Sequence, residues 1–128
     1  MTKVTVYQSG NLYVGFHISG HADFAEHGED IVCSAISILG YTAAQSTSTV
    51  AKVSDECIEY SEDPDSGEML LFIKEIDSQE KAMKVNVIIE SFIVGMTMIG
   101  DLYRNHLKLQ YEEVQSNEVN AKSSVIRK

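Results

Sequence analysis

Residues 19–37, SGHADFAEHGEDIVCSAIS, gather the side chains of this chain best suited to nucleophilic chemistry. A thiol, two imidazoles and several carboxylates fall where a glycine-bracketed acidic loop gives way to an apolar helical pattern. Asp30 is expected to act as helix N-cap, which puts Cys33 at the third helical position. There, unpaired backbone N–H groups and the positive end of the macrodipole favour an anion. Thiolate is the nucleophilic form of cysteine, so a helix start activates Cys33 without a distant partner. Packing is the commoner reason for a cysteine near a helix start, and a nearby general base shifts the balance towards catalysis. His21 and His27 precede Cys33 by twelve and six residues, and spacing alone does not choose between them. Gly20 and Gly28 supply backbone freedom that suits closure over a substrate and ordinary turns alike. Asp30 either caps the helix or orients a histidine, as the third member of a triad does.

The same segment invites a metal reading, since Asp23, Glu26 and Glu29 accompany His21, His27 and Cys33. Familiar zinc patterns pair ligands about two to five residues apart, and this spacing matches none of them, so neither a metal nor another cofactor is expected. The other thiol, Cys57, falls in a strand pattern that groups it with Glu59 and Ser61, opposite Ile58 and Tyr60. No helix start or base accompanies it. His17 reads as a residue on the polar face of a strand.

These side chains must be held by one domain. The chain has 128 residues, 44% of them apolar, which suits a single core over residues 1–114 followed by a polar, aperiodic and unstructured tail at 115–128. Nineteen acidic against ten basic residues leave a net charge of −9, which repels phosphate backbones and argues against direct nucleic-acid binding. A basic protein is a better electrostatic match. The start, MTKVTVYQSG, lacks the features of a signal peptide, and residues 85–100 are shorter than a membrane span and carry Glu90. The expectation is a cytosolic protein that does not engage a membrane. Two cysteines there form no disulfide framework.

Residues 3–8 and 12–19 alternate as a hairpin, with Val4, Val6, Leu12, Val14, Phe16 and Ile18 on one face. A helix is expected from Ile31 to about Ala51, and then a second hairpin, ECIEYSE and EMLLFIKEI, turning at DPDSG. Asp77 or Ser78 caps a helix over 79–104, whose stripe of Val85, Ile88, Ile89, Phe92, Met96, Ile99 and Tyr103 is widened by Val87, Ile93, Val94 and Met98. That width suggests a second subunit against the helix. HLKLQYE closes the order ββαββαβ, an α+β sandwich with a mixed or antiparallel sheet.

GHA, a short acidic loop, and then GEDIVCSAIS resemble the signature of the ribosomal-processing cysteine proteases of bacteria. The resemblance is most specific over residues 20–37 and follows the element order to about residue 113; Ser34 departs from it where alanine is expected. It implies a catalytic dyad of His21 as base and Cys33 as nucleophile, with Ser37 matching a later serine one helical turn on. It further implies a homodimer, and a substrate: the short N-terminal extension of large-subunit ribosomal protein twenty-seven. The rival reading is a non-catalytic adaptor that binds a ribosomal protein or assembly factor through the same loop.

Overall fold

The computed structural model describes residues 1–20 and 29–115. Strands β1 (Thr2–Ser9) and β2 (Leu12–Ser19) form a hairpin, followed by helix α1 (Glu29–Thr49). A second hairpin, β3 (Ile58–Asp63) and β4 (Glu68–Ile73), leads to helix α2 (Gln79–Leu102) and strand β5 (Leu107–Glu113). The order is therefore the expected ββαββαβ. The five strands form one sheet in the order β3-β4-β2-β1-β5. β1 and β5 run parallel and the other pairs antiparallel, so the sheet is mixed and the fold α+β.

Both helices cover one face of the sheet. Val4, Val6, Phe16, Ile18, Met69, Leu71 and Ile73 point up from the strands to meet Val32, Ile36 and Ala43 of α1 and Val85, Ile89, Phe92 and Met96 of α2. Phe16 stacks on Phe92 with ring centroids 4.2 Å apart. Burying side chains of this size stabilises the fold by about 1.5–3 kcal/mol each. The opposite face carries a smaller cluster of Tyr7, Leu70, Phe72 and Val114, with Val14 against it.

The alternation groups Val14 with Phe16 and Ile18 on one face. The register instead passes from Tyr7↔Gly15 to Gln8↔Tyr13, a β-bulge that leaves Val14 unpaired. One extra residue reverses the alternation beyond it. Tyr13 therefore packs on the main core and Val14 on the smaller cluster. Two features pin the bulge. The Tyr13 backbone N–H donates to Asn86 Oδ1 of α2 at 2.8 Å, and a Cβ at Gly15 would collide with the Leu71 carbonyl oxygen.

Ser78 caps α2, its Oγ accepting from the Lys81 N–H at 3.1 Å. The apolar run read as 85–100 thus belongs to a 24-residue helix, long and apolar enough to cross a bilayer by length and composition. Its inner stripe is committed to the protein core instead: Ala82, Val85, Ile89, Phe92, Met96 and Ile99 are buried. Of the widening residues, Ile93 is half-buried, whereas Val87, Val94 and Met98 are exposed together with Met83. Tyr103 ends the stripe exposed at the C-cap.

Candidate active site

α1 starts earlier than the spacing predicts. Asp30 is helical, so it does not cap the helix, and Cys33 is the fifth residue from Glu29 rather than the third of a helix beginning at Ile31. Cys33 therefore sits where the first turn closes, at the limit of the dipole's reach.

A cavity of about 200 Å³ opens beside Cys33. α1 contributes Cys33, Ile36 and Ser37, and the sheet contributes Thr2, Ile18 and Met69. Pro64 and Gly67, from the β3–β4 turn, close one side and Gly20 another. Cys33 and Ser37 are both half-buried and, one helical turn apart, face the same space. The turn is held by its own polar groups: the Gly67 N–H donates to the Asp63 carbonyl at 2.8 Å and the Asp65 N–H to Asp63 Oδ1 at 3.0 Å. Thr2 is fixed through its N–H, which donates to the His106 carbonyl at 2.9 Å.

Gly20 passes over the chain's first residue with φ +81°, and a Cβ there would lie 2.8 Å from the Met1 carbonyl oxygen. Left-handed backbone and close approach both demand glycine at this point. His21, His27 and Gly28 lie outside the described residues, as do Asp23 and Glu26. Among the described residues, no group of three or more His, Cys, Asp and Glu side chains could hold a metal ion.

Cys57 is placed differently from its expected strand position. It ends a 3-10 turn at Asp55–Cys57, which breaks the alternation. The thiol packs on the main core with Ile58 and Tyr60, away from the face that carries Glu59 and Ser61. Only about 10 Å³ of open space lies beside it. His17 faces away from the helices and pairs with Glu68 at 3.6 Å. The contributions of Thr2, Pro64, Gly67 and Met69 to the cavity went unread in the sequence; the turn was legible as a turn, but nothing local marks it as a wall.

Residues 1–108 match the family described as Cysteine protease Prp. The ribosomal processing cysteine protease Prp of Bacillus subtilis (strain 168) is 27% identical over 110 residues, which cover 85% of this chain and 96% of that protein. A crystal structure from Streptococcus mutans superposes with a TM-score of 0.73 at 20% identity, over 89% of this chain and 96% of the other. The ribosomal processing protease Prp from S. aureus, in complex with a covalently linked product peptide, gives a TM-score of 0.67 at 19% identity, over 88% and 100%. That protease has also been crystallised with a substrate peptide.

Proposed function

The chain belongs to the Prp family of cysteine proteases, and from that premise we propose a Cys-His endopeptidase in which Cys33 is the nucleophile and His21 its base. The observation that carries this reading is the placement of the two thiols. Cys33 borders a cavity of about 200 Å³ together with Gly20, and a single peptide bond joins Gly20 to His21. The hollow that Cys57 lines holds about 10 Å³.

In the proposed cycle, His21 takes the thiol proton as the Cys33 sulfur attacks a peptide carbonyl. Backbone N–H groups of the opening turn of α1 stabilise the oxyanion, and His21 returns the proton to the departing amine. Water, deprotonated by the same imidazole, then releases the acyl group. Ser37, one turn along the cavity wall, steadies the substrate or the sulfur. Asp30 serves as a supporting residue of the opening turn.

The substrate we infer is the N-terminal extension of large-subunit ribosomal protein twenty-seven, removed in the cytosol during ribosome assembly. The ribosomal-processing name of the B. subtilis relative supports it, and an acidic chain suits a basic ribosomal protein. A homodimer belongs to the same proposal. Met83, Val87, Val94 and Met98 on the outer side of α2 are 58–62% exposed, an apolar stripe suited to a second copy. Sedimentation at micromolar protein should find the dimer; a monomer alone contradicts it. Incubating the protein with the uncleaved ribosomal protein and weighing the products tests the activity itself. A single cut near the N-terminus is the expected result, and an intact protein after prolonged incubation rejects it.

A further inference from the structure

A larger groove begins one helical turn further along α1 than the cysteine's cavity, at Tyr41 after Ser37. Along α1, Cys33, Ser37, Tyr41, Gln45 and Ser48 recur at the spacing of one helical face. The first two line the cavity, and the last three line a second hollow of about 770 Å³. The facing wall is β3, through Ile58, Tyr60 and Glu62. Glu62 lies two residues before Pro64 at the cavity rim. β3 is an edge strand, paired with β4 alone among the described strands, and an edge of this kind can accept an added strand.

The groove has a distinct chemistry. Hydroxyls and two carboxylates, Asp55 and Glu62, line it, with no basic side chain among the described residues. Glu62 projects from β3 and accepts a hydrogen bond from the Tyr41 phenol across the groove, which raises the Tyr41 pKa above its ordinary value. Burial, then the Glu62 charge and Tyr41, push the neighbouring Tyr60 up to about 12. Both phenols therefore stay neutral at physiological pH and leave the Glu62 charge uncompensated by any lining cation.

We propose that this groove binds an extended segment of the polypeptide substrate beside the scissile bond, and that Glu62 selects a basic side chain within it. The inference rests on the protease reading above. Tyr41 lies eight residues beyond Cys33, about 12 Å along the helix axis. At about 3.3 Å per extended residue, the selected side chain falls about three or four residues from the cut bond. Charge complementarity and the open β3 edge act together: backbone pairing holds the segment, and Glu62 reads one side chain.

The test uses synthetic peptides spanning the ribosomal protein's extension, each with lysine or alanine at one position. In the native enzyme, lysine about three or four residues to one side of the cut should lower KM about tenfold relative to alanine, with kcat little changed. Glu62→Gln should erase that preference, and Glu62→Lys should transfer it to glutamate. A native enzyme indifferent to lysine at every position, or a preference that survives Glu62→Gln, overturns the proposal. Fluorescence anisotropy of the same peptides on Cys33→Ala protein reads the preference without turnover. Lysine-selective binding without cleavage by the native protein would reject the protease reading and retain the groove. Cleavage without selectivity would do the reverse.

Discussion

Cys33 and Cys57 are both half-buried thiols on the same domain, yet their settings are opposite. Cys57 ends a 3-10 turn with its sulfur against the core and almost no free space. Cys33 stands one turn into a helix, where the start of β1, the β3–β4 turn and Gly20 leave a cavity open. Degree of burial therefore does not distinguish a structural thiol from a candidate nucleophile. What distinguishes them is which segments converge on the sulfur, and whether they fill the space or frame it.

The comparison breaks first at activity. Cys33→Ala should reduce peptide cleavage to background while Cys57→Ala keeps most of it, measured by mass spectrometry of the products. Near-native turnover by the Cys33 variant would remove the proposed nucleophile. His21→Ala should lower kcat/KM by about 10²–10⁴-fold, the usual contribution of a general base. His27→Ala should cost far less. Equal losses would place both imidazoles in the site and revive the metal reading, which dialysis against a chelator would then examine.

Stability should sharpen the contrast in the other direction. Gly20→Ala forces a side chain into left-handed backbone and against the Met1 carbonyl oxygen, costing about 1–2 kcal/mol from the backbone alone. An unchanged denaturation midpoint would contradict that geometry. Cys57→Ala should cost about 1 kcal/mol through lost packing, and Cys33→Ala less, because its sulfur borders open space.

The smallest effect lies beside Cys57, at Tyr60, whose phenol is pushed up to about 12 from an ordinary 10.0. A raised folded-state pKa favours the protonated form in the folded protein. The contribution is present in full below pH 10 and is lost as pH rises towards 12. Tyr60→Phe should flatten that part of the stability profile. Tyrosinate absorbance from native Tyr60 at its ordinary midpoint would contradict the shift.

Local signals made much of this legible. Period-two alternation marked the strands, and proline and glycine marked the DPDSG turn. Asp77 and Ser78 together announced the start of α2, and it is the Ser78 side chain that caps the helix. The short run from GHA to DIVC carried the family, which the match over residues 1–108 bears out. The errors share one cause. Val14 faces the wrong way because a bulge is a relation between two strands, and alternation within one strand cannot report it. Asp30 reads as a cap or as an orienter of histidine because Ile31 opens the apolar pattern, whereas the helix already includes Asp30 and begins at Glu29. Cys57 left its predicted face because a 3-10 turn interrupts the strand period.

By itself, then, the sequence determined the order of elements, the two hairpins, the second helix and the family. Each depends on residues near one another in the chain, where spacing translates directly into direction. Tertiary structure alone decided that Thr2, Pro64 and Met69 meet Cys33, and that Glu62 faces Tyr41 across a groove on an open strand edge. Those juxtapositions depend on strand order and on how the sheet packs beneath α1. Such contacts arise from the burial of the whole core, and no local period encodes them.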